Sequence, residues 1–168
     1  KKWGAKVVLR PSTLSGDDDA LIDALTHGYK HVQNEHDKYD IVINLQPTSP
    51  LRTSVHIDEA LRLFSLDENT QVFSCYKIKA KYQWIMKCNN QGYADFVDPF
   101  QQSKNKHARQ NNADIILPNG AIFILSTNDL SKFYNERTIP YLMDKNCSID
   151  IDTKEDFEQA SNLFSELN

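Results

Sequence analysis

Leu45-Gln46-Pro47-Thr48-Ser49-Pro50-Leu51-Arg52 follows the short β-branched run Tyr39-Asp40-Ile41-Val42-Ile43-Asn44 and precedes an amphipathic stretch that starts near Thr53. The run reads as a buried strand and the stretch as a helix, so the eight residues between them form a strand-to-helix loop. In an open α/β sheet, ligands bind at such loops, outside the carboxyl ends of the strands. Two prolines stiffen this one, and Gln46, Thr48, Ser49 and Arg52 offer amide, hydroxyl and guanidinium groups to a polar ligand. The competing reading is a tight connection whose polar residues only cap the helix.

Outward from this loop, strands and helices alternate. Leu21, Ile22, Leu25, Tyr29 and Val32 recur at helical spacing behind the acidic cluster Asp17-Asp18-Asp19, which suits the positive end of a helix dipole. A second helix is predicted over 54–66, with Ile57, Ala60, Leu61 and Phe64 on one face. Strands are predicted at Lys6–Leu9, at 71–76, at 121–125 entered through Pro118-Asn119-Gly120, and at 141–143. A hairpin is predicted around Asn89-Asn90-Gln91-Gly92, and a short helix after Thr127. The last helix starts at Thr153, with Asp156 as the far end of a capping box and Phe157, Ala160, Phe164 and Leu167 as a buried stripe. The pattern predicts one α/β domain over 1–168, with a doubly wound, mostly parallel sheet.

Composition narrows the function. The 168 residues are 40% hydrophobic and 25% charged, ordinary for a globular domain with one substantial core. A formal net charge of −4 argues against nucleic acid or an anionic membrane as partner. No apolar run approaches membrane-spanning length and none reads as a signal peptide. Cys75, Cys88 and Cys147 show neither paired nor metal spacing and read as reduced thiols of a cytoplasmic protein. The chain opens at Lys1 close to a predicted strand, which suggests a fragment, a processed product or a truncated form.

Two carboxylates are the sharpest chemical feature. In Ser148-Ile149-Asp150-Ile151-Asp152, an extended backbone would put Asp150 and Asp152 on one side, roughly 7 Å apart by strand rise. One hard cation could then sit between them, its shell completed by phosphate oxygens and water. A half-buried strand with a solvated polar face would look the same. His27 and His31, spaced i, i+4, read as a solvated helix face, and the basic run Lys104–Arg109 as an anion-binding or exposed loop.

Taken in order, these segments resemble the CMP-sialic acid synthetases, the acylneuraminate cytidylyltransferases. Gly4-Ala5 leading to Val8-Leu9-Arg10-Pro11 and Leu14 through Asp18 is similar to that family's second-strand region. Leu45 to Arg52 resembles its Leu-Gln-Pro-Thr-Ser-Pro-Leu-Arg motif at every residue. Arg109-Gln110, spaced ahead of Pro118-Asn119-Gly120-Ala121-Ile122, and then Ser148 through Thr153 with Glu155-Asp156, complete the likeness. It covers the whole chain except about 80–105 and 129–146.

The resemblance implies a Rossmann-like nucleotidyltransferase that joins CTP to a nonulosonic acid, with Mg2+ as cofactor, CMP-sugar and pyrophosphate as products. It implies that Asp150 and Asp152 hold the magnesium and that Arg109 joins them in catalysis. Gln46, Pro47, Thr48, Ser49, Arg52, Asn119 and Phe123 would bind the sugar, and Arg10, Ser15 and Asp18 the nucleotide. A small arm at about 77–112 would exchange between subunits of a homodimer. Three departures stand out. The family's N-terminal Gly-Ser-Lys loop for the triphosphate is missing, so the piece starting at Lys1 is expected to be inactive. Leu117 and Phe123 replace an arginine and a tyrosine on the sugar side, leaving sialic acid and relatives such as legionaminic acid open. Asp19-Ala20-Leu21 replaces small and hydroxyl residues. Alternatives are a 3-deoxy-manno-octulosonate type of cytidylyltransferase and a non-catalytic sugar-nucleotide binding paralogue.

Overall fold

The structure is a computed structural model, and it describes residues 4–16, 18–35, 38–64, 70–78, 85–88, 90–97 and 115–167. Arg109, the Lys104–Arg109 run and most of the 77–112 arm lie outside the described residues. Among the described residues, helices α1 (Leu21–Glu35), α2 (Ser54–Leu63) and α3 (Lys154–Leu167) accompany strands β1 (Ile41–Asn44), β2 (Gln71–Ile78), β3 (Met86–Cys88), β4 (Ala94–Phe96), β5 (Ile115–Ser126) and β6 (Thr138–Leu142). Four strands form the main sheet in the order β1-β5-β2-β6, and β3 and β4 pair as the antiparallel hairpin expected around Gly92.

The chain is α/β, as its pattern implies. Three of the four main strands, β1, β2 and β6, run in one direction, and β5 alone runs against them. The sheet is therefore mostly parallel in strand direction but mixed in pairing, because β5 sits between β1 and β2 and pairs antiparallel with both. Periodicity marks where a strand is, not which neighbour it finds, so this insertion could not be read from the residues. Pro140 has a place in β6 because that strand lies at the edge of the order, where a missing N–H breaks no ladder.

Alternate residues of β2 and β5 supply two cores. Val72, Ile122 and Ile124 pack with Ala60, Tyr141 and Met143, joined by Ile57 and Leu61 of α2 and by Phe64 just after it. On the other face Phe73, Cys75 and Phe123 pack with Ile116 and Phe133. The α2 stripe thus lies as its spacing predicts. Its start is fixed by Thr53, whose hydroxyl accepts the His56 N–H, while His56 Nδ1 accepts the Thr53 N–H at 3.1 Å. A second tie to the sheet comes from the Tyr141 hydroxyl, which donates to Glu59 Oε2 at 2.5 Å. Burial and this carboxylate both push the Tyr141 phenol above its ordinary range.

Three expectations are corrected. Lys6–Leu9 is not a strand: Val7 and Leu9 are 63% and 84% exposed, so the run buries no face against the sheet. No helix follows Thr127. Side chains take over the backbone groups there: Asp129 accepts both N–H and O–H of Ser131, and Thr127 donates to Tyr39 O at 2.8 Å. Finally, α3 is capped as predicted by Thr153 and Asp156, yet its stripe is not buried. Ala160 is covered, but Phe157 and Phe164 are 59% and 57% exposed and, with Pro50 and Ile151, line an apolar groove.

Candidate functional site

Strand direction brings the predicted segments together. The carboxyl ends of β1, β2 and β6 lie at one end of the sheet, and the first half of β5, running against them, starts there too. The loop after β1, the Pro118-Asn119-Gly120 turn and the segment after β6 therefore meet. A direct link closes the set: the Ile151 N–H donates to Thr48 O at 2.9 Å.

At the centre is an interruption in β5. Phe73 faces Phe123 and Cys75 faces Pro118, so two steps along β2 match five along β5 and three extra residues bulge out. The Pro-Asn-Gly sequence does not introduce the strand; it lies inside it. Gly120 takes φ +71°, the left-handed region where a side chain is costly. Space adds to the requirement, because a Cβ there would come within 2.8 Å of Gln46 Oε1 and 3.4 Å of Asp150 Oδ2.

Buried polar groups replace the ladder bonds lost at the bulge. Ser74 Oγ accepts the Ile122 N–H at 2.7 Å and gives its proton to Asn119 Oδ1 at 2.5 Å. Asn119 Oδ1 also accepts the Ala121 N–H, and its Nδ2 donates to Ser148 Oγ at 2.8 Å. Ser148 in turn donates to Asp144 O at 2.8 Å. A continuous chain of side chains thus joins β2, the bulge and the segment that carries Asp150. Arg52 clamps the other side, its Nη1 donating to Gln46 O at 3.0 Å and Ala121 O at 2.8 Å. Burial lowers the Arg52 pKa, but a guanidinium remains charged, so these are charge-assisted bonds.

The predicted residues separate into groups. Gln46, Gly120 and Asp150 converge, and Asp150 lines a cavity of about 360 Å³ with Asn119, Gly120, Lys145, Asn146 and Gln159. Asp150 Oδ1 and Ser49 Oγ are buried without a hydrogen-bond partner. Thr48 holds the Asp150 segment through its carbonyl, and Pro47 is exposed. Asp152 is exposed at the bend before α3, its N–H donating to Asp156 Oδ2 at 3.2 Å. Phe123 lies elsewhere, buried in the second core with its ring 4.5 Å from that of Phe133. Arg10, Ser15 and Asp18 are exposed on the segment ahead of α1. Arg109 lies outside the described residues.

Sequence reasoning missed Ser74, Ser148 and Lys145. The one available signal was a hydroxyl at the centre of the apolar run Val72-Phe73-Ser74-Cys75, which a buried strand carries only where it has a partner. As for a metal, no group of three or more His, Cys, Asp or Glu side chains is arranged to hold one among the described residues. Mg2+ rarely uses such a cage and binds through one or two carboxylates plus phosphates and water. The unpartnered oxygen of Asp150 fits that habit.

No family model matches the chain. Among curated proteins, the N-acylneuraminate cytidylyltransferase of Escherichia coli O18:K1:H7 is 31% identical over the whole chain, and that of Streptococcus agalactiae serotype V is 32% identical over 92% of it. The chain spans only 39% and 36% of those two proteins. The CMP-N,N'-diacetyllegionaminic acid synthase of Legionella pneumophila is 30% identical over 99% of the chain, which spans 72% of that protein. With this likeness along its length, the chain belongs to the CMP-sialic acid synthetase (acylneuraminate cytidylyltransferase) family.

Proposed function

We propose that the intact protein is a cytoplasmic cytidylyltransferase that transfers the cytidylyl group of CTP to a nonulosonic acid, sialic acid or a relative such as legionaminic acid. The sugar's anomeric oxygen forms a bond to the α-phosphorus, its proton is released, and pyrophosphate leaves with the electrons of the broken P–O bond. The observation that carries the reading is the convergence of Gln46, Gly120 and Asp150 at the carboxyl end of the sheet, where Asp150 keeps a buried oxygen unpartnered. The names of the relatives support the same chemistry, and the free thiols of Cys75, Cys88 and Cys147 suit a reducing compartment.

Each group has a task. Gln46, held by the Arg52 clamp on its own carbonyl, offers its amide to the sugar. The bulge keeps Gly120 free of a side chain, so that ligand, Gln46 and Asp150 can approach closely. Asp150, with Asp152, would hold Mg2+, which when bound neutralises phosphate charge. Arg109 is proposed to contact the sugar acid beside Gln46, as the resemblance implies. The 77–112 arm is proposed to join two copies in a homodimer.

The test is turnover by the intact protein with CTP, Mg2+ and sialic or legionaminic acid, followed by pyrophosphate release. Wild type should form CMP-sugar, and Asp150→Asn should cut the rate by orders of magnitude while leaving the fold intact. Near-normal turnover in Asp150→Asn at saturating CTP would end this assignment.

A further inference from the structure

Lys145 opens a 3-10 turn, Lys145–Cys147, between β6 and α3. The turn is fixed from several sides. Asp144 Oδ1 accepts the Asn146 N–H at 2.8 Å, and the Ser148 N–H returns to Lys145 O at 3.1 Å. Through Ser148 Oγ the same turn is bonded to Asn119, and so to the bulge that carries Gly120. The Lys145 backbone is therefore held by the network that holds the site, rather than by an independent loop.

Among the described residues that line the 360 Å³ cavity, Lys145 is the sole cation, and its ammonium forms no ion pair with any described residue. It shares that cavity with two carboxylates, Asp150 and Asp156, and two amides, Asn146 and Gln159. Asp156 Oδ2 accepts the N–H and the hydroxyl of Thr153, each at 2.8 Å. With Asp150 reserved for Mg2+, the charged side chains left on the described lining are one cation, Lys145, and one carboxylate, Asp156. A ligand with one anionic group and many hydroxyls matches the same lining well. The volume, near the lower end of the roughly 300–1,000 Å³ usual for ligand pockets, suits one sugar better than a sugar and a nucleotide together.

We infer that Lys145 binds the carboxylate of the sugar acid in this cavity and that Asn146 and Gln159 read its hydroxyls, making Lys145 a specificity-determining residue of the transfer. This rests on the function proposed above and adds a cation that the resemblance does not point to. It also places a positive group in the cavity that Leu117 lines without one.

The experiment is isothermal titration of the intact protein with sialic acid and legionaminic acid, each as free acid and as methyl ester, and separately with CTP. Lys145→Met should weaken binding of the free acid by about ten- to a hundredfold, the worth of a hydrogen bond to a charged group. It should leave the ester and CTP unchanged, and Lys145→Arg should restore most of the loss. Acid and ester weakened equally, or unchanged acid affinity in Lys145→Met, would overturn the inference. So would a loss of CTP affinity alone, which would make this a phosphate subsite. Wild type that turns over a sugar acid while Lys145→Met is indifferent removes only Lys145. Wild type that neither binds nor turns over any of them removes the proposed function and this inference together.

Discussion

The two halves of β5 belong to one strand and do opposite work. From Ala121 to Ser126 every residue is buried, and Ile122 and Ile124 are fully enclosed between β1, β2 and α2. From Ile115 to Pro118 the strand is half-buried or exposed, and Leu117 and Pro118 line the cavity. The three-residue bulge is the border. It lets one strand anchor the sheet and still turn a close-approaching glycine toward Gln46 and Asp150. Stability and binding should therefore respond to different substitutions a few residues apart.

The largest effect tests the buried half. Ile122→Ala should cost about 2–5 kcal/mol, the range for truncating an enclosed branched side chain. Urea unfolding of the intact protein should show the midpoint falling while the molecules that remain folded bind ligand normally. A loss of ligand affinity without a loss of stability would break the division between the halves.

Next comes the polar network across the border. Ser148→Ala leaves the buried Asn119 Nδ2 with only the Met143 sulfur, at 3.4 Å, and should cost about 1–3 kcal/mol. Unlike Ile122→Ala, it should also lower turnover, because the bulge loses its tie to the Asp150 segment. The comparison is sharpened by Gly120→Ala. Left-handed backbone costs an alanine about 1–2 kcal/mol. Its Cβ also displaces Gln46, so binding should suffer out of proportion to the small change in unfolding midpoint. Equal and purely thermodynamic effects of Ser148→Ala and Gly120→Ala on folding, with binding intact, would mean that the bulge is only a structural joint.

Local pattern made much of this legible. The Leu45–Arg52 loop, the α2 stripe, the hairpin at Gly92 and the Thr153 cap of α3 follow from neighbours in sequence, and the structure has them. What depends on distant partners was hidden. The direction of β5 and its place between β1 and β2 come from pairing, not from the alternation of its residues. The stripe of α3 has the same spacing as that of α2, yet only α2 finds a sheet to cover Ile57 and Leu61. Phe123, expected on the sugar side only through the family resemblance, has its ring in the second core, where alternation along β5 turns it. Lys145 stands in a stretch without periodicity, and only the cavity gives it meaning.

The smallest effect concerns the helix cap beside the cavity and separates the α3 cap from the α2 cap by pH. The Thr153 hydroxyl and N–H, both donating to Asp156 Oδ2, and then the Asp152 N–H, hold the folded pKa of Asp156 below its ordinary 3.8. In the unfolded chain that carboxyl has its ordinary value and takes up a proton first. The cap's contribution is therefore present above about pH 4 and is lost as pH falls through the lower, folded value. The charge also favours the positive end of the α3 dipole, which protonation removes. Urea midpoints of wild type and Asp156→Asn should differ modestly at pH 6 and draw together as pH falls below about 4. The α2 cap pairs Thr53 with His56 rather than a carboxylate, so Thr53→Ala should show no such convergence in that acid range. If the gap between wild type and Asp156→Asn stays constant into acid, Asp156 caps α3 by geometry alone, and its charge does not distinguish this cap from that of α2.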